Sequence, residues 1–597
     1  MPSYQVWAPN AGSRVRVEVN GFGYDLARCP DRDGWWSGEA PAGDYAFRLD
    51  DGPPLPDPRS PRQPHGPDGP SRAVDHAAFP WSPWPPTGRG GRALPGAVLY
   101  ELHVGTFTAR GTFDAAAERL DHLVELGVDF VELMPVCPFP GRHGWGYDGV
   151  SLWAVHEPYG GPEGLKRFVD AAHGKGLGVV LDVVHNHLGP SGNHLPAYGP
   201  YFTDRHHTPW GSAVNLDAPG SDEVRAYLIG SALAWLRDYR IDGLRLDAVH
   251  ALADGRAVHF LEELSSEVRK LAVATNRPLF LVAESDLNTP ATTTPPEAGG
   301  QGLAAQWSDD FHHALHCALT GESQGYYGDF AHQPLAALAK TLTRGFFHDG
   351  TWSSFRGRHH GRPFTPSGDG HRLLGYLQNH DQVGNRALGD RVSTSLSPGR
   401  LACGAALVLT SPFTPMLFMG EEWGAATPWQ YFTDHTDPDL AEAVRRGRRR
   451  EFAEHGWAAE AVPDPQEPAT VLRSVLDWTE IRRAPHAELL AWYRTLIRLR
   501  RERPELSDPD LGAVRVDFDE AAGRLVVHRG PYRIAVNLGP GEAALPLGAT
   551  GREVVAAFGA AALEGAAAPE GAAAQGAAVT EGAAVRLAAD AVAIVRV

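Results

Sequence analysis

At 597 residues and 64.3 kDa the chain exceeds what one compact core supports, since cores stop growing at about 250–300 residues, so one large domain with appendages is expected. Hydrophobic residues at 43% and charged residues at 21% exclude wholesale disorder. A formal charge of −18 disfavours nucleic acid and anionic membranes as partners and is indifferent to a neutral sugar.

The start, Met-Pro-Ser-Tyr-Gln-Val-Trp, has no basic segment followed by an apolar run, so no secretory signal is expected. Tyr4–Ala8, Arg14–Val19 and Asp44–Leu49 read as strands between Gly, Asn and Asp turns, predicting a small immunoglobulin-like β-sandwich over residues 1–90. Between Pro53 and Pro70 proline recurs every few residues, with Gly66 and Gly69, which by composition predicts a linker or disordered segment.

From about residue 97 short apolar runs alternate with helical periodicities, the pattern of an α/β protein built on a parallel sheet. Strands are predicted at Val98–Val104, Val128–Met134, Gly178–Val184, Gly243–Asp247, Leu279–Ala283, Leu373–Leu377 and Met416–Met419, with an eighth near Gly302–Trp307. The expected architecture is a (β/α)₈ TIM barrel over residues 91–505 with a short insertion at 188–220. Thr112 should cap one helix bearing Phe113, Ala116, Leu120, Leu123 and Leu126, while Pro162 and Ser221 open two others. The most apolar stretch, Leu401–Met419, is broken by Pro412 and Pro415 and suits a buried helix and strand, so no transmembrane segment is expected. Arg445, Arg446, Arg448, Arg449 and Arg450 read as a solvated helix face rather than a nucleic-acid patch. Beyond the helix Leu489–Arg500, strands at Ala513–Phe518, Arg524–Arg529 and Tyr532–Val536 predict a C-terminal β-sandwich over 506–597, interrupted by a low-complexity Ala/Gly stretch from Ala556 to Ala584. The cysteines Cys29, Cys137, Cys317 and Cys403 lie far apart with no C-x-x-C, which predicts neither disulfides nor a zinc site and fits a reducing cytoplasm.

The chemistry sits in four segments. Asp182, Asp247, Glu284 and Asp381 each fall at the C-terminal end of a predicted strand, the face on which barrel active sites are built. In Gly243-Leu244-Arg245-Leu246-Asp247, Arg245 and Asp247 are two apart on a strand and point the same way, so the arginine can hold Asp247 ionised and pair with Asp182. Glu284 ends an apolar strand, where burial and neighbouring carboxylates can raise its pKa enough to protonate a leaving oxygen. Taken singly, each of these residues is more often a loop cap or a satisfied structural group than a catalytic one.

Leu181-Asp182-Val183-Val184-His185-Asn186-His187, Asp242 to His250, Leu281 to Ser285 and Leu377 to Gln382, in this order, resemble the conserved regions of glycoside hydrolase family 13, the α-amylase family. The resemblance covers about residues 95 to 505. It implies Asp247 as nucleophile, Glu284 as acid/base and Asp381 as the third carboxylate; His187, Arg245 and His380 as −1 subsite contacts; Tyr147, in Gly144-Trp145-Gly146-Tyr147-Asp148, as a stacking residue flanked by Trp145 and Asp148; and Asp182 as support for Arg245. Val249-His250 departs from the Lys-His pair of many amylases.

Tyr100 to Phe107, Trp307 to His316, Met419 to Gly424 and Tyr431 to His435 resemble the trehalose-releasing branch of that family, and the proline-rich stretch resembles an ordered loop shared with branching enzymes. This implies hydrolysis, with retention, of the α-1,4 bond next to the trehalose end of maltooligosyltrehalose. Trehalose and maltooligosaccharide would be ligands, and a maltooligosyltrehalose synthase the functional partner. Trp307, Asp309 and His312 are candidates for holding the trehalose; alternatively, His312, His313 and His316 form one helix's polar face. The rival readings are an α-1,4-glucan branching enzyme and a non-catalytic glucan-binding protein. Residues 188–220 carry only Asp204 and Asp217 as acids, so no calcium is expected, nor any other cofactor.

Overall fold

The computed structural model describes residues 1–83, 93–364, 369–453, 462–564 and 582–597. The expected domain boundary near 90, and the Ala/Gly-rich residues 565–581, lie outside them.

Strands β1 (Ser3–Trp7), β2 (Val15–Val19), β3 (Phe22–Arg28), β4 (Trp35–Glu39), β5 (Asp44–Leu49), β6 (Pro54–Leu55) and β7 (Ser71–Arg72) form one seven-stranded antiparallel sheet, continuous through β3. In β2 the alternation of valine with Arg16 and Glu18 buries Val15, Val17 and Val19 on one face, as a half-solvated strand requires.

The proline-rich segment is neither linker nor disordered. Tyr198 donates to the carbonyl of Pro56 at 2.8 Å, Ser60 and Gln63 are buried, and the Arg59 guanidinium lies 5.4 Å from the Trp153 ring. Arg62 grips Glu157 through both Nε (3.1 Å) and Nη2 (2.5 Å) and reaches Glu163 at 3.2 Å. Proline restricts the unfolded chain, so less entropy opposes docking, and these contacts supply the rest. Arg62→Ala should speed native-state tryptic cleavage after Arg59; an unchanged rate would mean the ion pairs do not hold the segment down.

The eight barrel strands are β8 (Leu99–Leu102), β9 (Phe130–Leu133), β10 (Gly178–Val183), β13 (Gly243–Leu246), β14 (Phe280–Ala283), β15 (Ala305–Trp307), β18 (Leu373–Gly375) and β19 (Thr414–Phe418), all parallel and closed, β19 pairing with β8. Two hairpins stand outside it, β11 (Phe202–Thr208) with β12 (Gly211–Val214), and β16 (Thr351–Ser353) with β17 (Arg358–His360). Inward side chains fill the interior: Leu99, Phe130, Val180, Phe280, Val282, Trp307, Leu374 and Met416 form one buried cluster. Gly243 is needed there, because a Cβ at that position would stand 2.2 Å from the Phe280 ring.

Some elements depart from the sequence reading and others follow it. The first strand stops at Leu102 and the chain turns helical at Val104–Phe107. The helix capped by Thr112 is two, Phe113–Ala117 and Leu120–Leu126. Ser221 opens the helix Ser221–Asp238 as expected, behind a left-handed Gly220 at the cap. Leu401–Met419 is a buried helix, Pro398–Leu409, running into β19. No described helix is long and apolar enough to cross a membrane. The basic run lies on the helix Pro438–Ala453, but Arg448 is buried rather than solvated: its Nη2 donates to the Gly384 carbonyl at 2.9 Å and its guanidinium lies 4.5 Å from the Phe452 ring.

After the helix His486–Glu502, β20 (Val514–Asp519), β21 (Arg524–Arg529), β22 (Tyr532–Asn537), β27 (Ala591–Arg596) and β24 (Glu553–Phe558) make one sheet. Strands β23 (Ala543–Gly551), β26 (Gly582–Leu587) and β25 (Ala561–Glu564) make a second, packed on the first through Val526, Leu545, Val585, Leu587 and Val595. The Arg400–Asp590 pair at 2.8 Å and Glu520, which accepts from the Leu335 and Ala336 amides, tie this unit to the barrel.

Candidate active site

Asp182 and Arg245 are register partners on β10 and β13, and Asp247 and Glu284 stand one residue past the ends of β13 and β14. Asp381 departs from the strand-end expectation: it lies in the short helix His380–Gly384, beyond β18 and a connecting turn. Arg245 is fully buried, and its Nη1 donates to Asp182 at 2.8 Å and to Asp247 Oδ1 at 2.8 Å, while Nη2 lies 3.3 Å from Glu284. The other Asp247 oxygen accepts from Asn186 Nδ2 at 2.8 Å.

Ala248, next in the chain, is left-handed at φ 39° and ψ 51°. For a residue with a Cβ this costs about 1–2 kcal/mol. The turn it makes aims the Ala248 amide at Glu284 Oε2, 2.6 Å away. That single hydrogen bond does not offset desolvation: burial, with Asp247 and Asp381 adding to it, pushes the Glu284 carboxyl up to about 8. Asp182 is pushed up to about 6 by burial, against the pull of Arg245.

Asp247, Glu284 and Asp381 open into one cleft of about 360 Å³, walled also by Trp145, Tyr147, Asp148, His187 and His380. Tyr147 donates to Asp182 Oδ2 at 2.6 Å and stacks on His380 with ring centroids 5.1 Å apart. His187 Nε2 is 3.0 Å from the Tyr147 carbonyl. Trp145 is fixed by its Nε1–H to the Gln430 carbonyl at 3.0 Å and by stacking on Trp429 at 4.4 Å. Asp148, its carboxyl raised by burial, faces His435 at 3.9 Å.

Three expected residues do not line this cleft. Trp307 lies inside the barrel, its ring 4.3 Å from the Arg245 guanidinium. Asp309 accepts from Tyr376, and His312 is buried against Tyr327, 3.2 Å from its hydroxyl. Nor do His312, His313 and His316 form a solvated polar face; all three are buried among Tyr326, Tyr327 and Tyr376.

Sequence reasoning missed Asn186 as a partner of Asp247, and Trp210, at the tip of the β11–β12 hairpin. Trp210 is half exposed, lines the cleft and stacks parallel on His187, 4.3 Å away with 1° between planes. Its signal was the turn Thr208-Pro209-Trp210-Gly211 inside the insertion, an aromatic where a tight hairpin tip exposes it. His250 and the segment Tyr431-Phe432-Thr433 also border the cleft.

The alpha amylase, catalytic domain profile matches residues 86–196. The chain is 56% identical to the malto-oligosyltrehalose trehalohydrolase of Arthrobacter ramosus, over 91% of this chain and 94% of that protein. It is 53% identical to the enzyme of the same name from a Rhizobium species, over 89% and 90%. Among solved structures, a candidate alpha amylase of Salmonella typhimurium is similar with TM-score 0.86 and 37% identity, covering 100% of this chain and 97% of that one.

Proposed function

The chain belongs to the malto-oligosyltrehalose trehalohydrolase family of α-amylase-type glycoside hydrolases, and from that premise we propose how its cleft releases trehalose. The enzyme hydrolyses the α-1,4 bond next to the terminal trehalose of maltooligosyltrehalose. The observation that carries the mechanism is the placement, in one cleft, of a half-buried Glu284 whose carboxyl desolvation pushes up beside an arginine-braced Asp247. Asp247 attacks the anomeric carbon of the −1 glucose, while Glu284 gives its proton to the departing trehalose oxygen. Glu284, now a carboxylate, takes a proton from water, which attacks the glucosyl–Asp247 ester and restores both groups with net retention. Asp381, with His187, Arg245 and His380 around the −1 sugar, stabilises the positive charge that develops at the ring. Tyr147 offers its ring, and Trp145 and Asp148 complete the wall.

Trp210 supplies an exposed aromatic face at the mouth of the cleft. Losing one stacked ring is worth about 0.5–1.5 kcal/mol, so Trp210→Ala should raise KM roughly twofold to twelvefold with kcat little changed. Initial-rate kinetics decide it, and an unchanged KM would take Trp210 out of the binding surface.

The catalytic unit is the barrel of residues 91–505, flanked by the two β-domains. The four unpaired cysteines support a cytoplasmic setting, and the substrate requires a synthase that closes the reducing end of a maltodextrin as trehalose, making this a step in trehalose formation. Incubation with maltooligosyltrehalose and, separately, with amylose tests the activity. Free trehalose from the first is the expected product; new α-1,6 branches in the second would mark a transferase, and binding with no turnover a non-catalytic protein.

A further inference from the structure

Glu101, on the first barrel strand, is 1% exposed and lies outside the cleft, yet its carboxylate holds a residue of the cleft twice. One oxygen accepts the backbone N–H of His380 at 2.9 Å and the other meets His380 Nδ1 at 2.5 Å, across 279 residues of chain. As a first-turn donor this N–H has no partner within the helix His380–Gly384, so the same carboxylate fixes both the helix that carries Asp381 and the ring beside it. We infer that Glu101 is a positioning residue for the glycosidic reaction, keeping His380 as a fixed imidazolium between Tyr147 and Asp381. The inference rests on the reading of His380 as a contact of the −1 sugar.

Proton bookkeeping supports the charged state. Tyr147 has one hydroxyl proton, and at 2.6 Å from Asp182 it is donated there. The Tyr147 oxygen, 2.8 Å from His380 Nε2, must then accept, so Nε2 carries a proton as well as Nδ1. A chain of alternating charge results: Glu101, His380, the Tyr147 hydroxyl, Asp182, Arg245, Asp247. Burial pulls the imidazole pKa down, but Asp381 and Glu101 outweigh it and hold His380 up at about 9. The groups facing it are Glu101 from β8, Tyr147 from the loop after β9, Arg245 from β13 and Asp381 from its own helix. Arg245 opposes its charge and Asp182 on β10 favours it, whereas burial holds the nearby His103 and Glu132 in their neutral forms.

Glu101→Gln keeps an acceptor for the ring but removes the charge, and the test is its pH–rate profile beside its melting temperature. In the parent enzyme the alkaline limb follows Glu284, near 8. In the variant the imidazole should lose its proton about 1–3 pH units earlier, so the alkaline limb moves to lower pH. A displaced contact should also lower kcat, by roughly 10²-fold, with KM barely moving and partial recovery in Glu101→Asp. A folded Glu101→Gln with the parent limb and kcat overturns the inference. Should the variant not fold, the parent protein decides: with ¹⁵N-labelled histidine, a downfield imidazole N–H absent from His380→Gln should persist to about pH 9. Titration of that signal near the ordinary imidazole value of about 6.5 overturns it too. A parent protein that released no trehalose would sink the functional reading instead, leaving the histidine titration to judge Glu101.

Discussion

Asp247→Asn is expected to lower kcat by roughly 10⁴–10⁶-fold, the scale on which removal of a catalytic nucleophile is felt. The amide is nearly isosteric with the carboxylate, so Asn186 and the cleft walls keep a partner of the same shape while the atom that forms the glucosyl ester loses its nucleophilicity. Arg245 retains Asp182, so the braced floor survives and melting temperature should change little. A variant within tenfold of the parent rate would move the nucleophile to another carboxylate. Mass spectrometry of the parent enzyme quenched during turnover should find a glucan ester on Asp247.

Glu284→Gln is expected to reduce kcat by roughly 10²–10⁴-fold, the range for losing a positioned proton donor, and to flatten the alkaline limb that Glu284 imposes near pH 8. Its effect on stability has the opposite sign. A carboxyl whose folded pKa stands at about 8, above its unfolded value, is bound to its proton in the native state while the unfolded chain has already lost it. Stability is therefore unaffected below about pH 4.3 and falls as pH rises to 8, by an amount on the order of a few kcal/mol. Glutamine is spared that loss, so the variant should melt higher than the parent at pH 8 and equally at pH 4. Equal melting at both values would mean Glu284 is not held protonated by its surroundings.

The chemistry of the site was legible because it is local. An arginine and an aspartate two apart on a strand must share a face, and an acid after an apolar strand must be desolvated; Arg245, Asp247 and Glu284 stand as those rules require. What was not legible depends on contacts made across the fold. Trp307 and His312 look like binding residues in a polar, aromatic run, but Arg245 and Tyr327 occupy their faces. Glu101 reads as a polar residue in a strand, and nothing in its neighbours announces a histidine 279 residues away. Trp210 sits in an insertion that composition marks as a loop, and only the hairpin's fold-back brings it over His187. Residues 53–70 misled for the same reason: proline counts describe the free chain, and the segment's order comes from Glu157, Tyr198 and Trp153.

That segment also sets an order of events during synthesis. Its partners follow 95 residues later, for Arg62 with Glu157, and 142 residues later, for Pro56 with Tyr198. At about 5–20 residues per second, the ribosome delivers Tyr198 some 7–28 s after Pro56 has been made. During that interval the N-terminal sheet can form with β6 and β7 at the two ends of the proline arm. The arm's barrel partners are still missing, first Glu157 and then Tyr198, so it locks down fully only as the first strands of the barrel emerge.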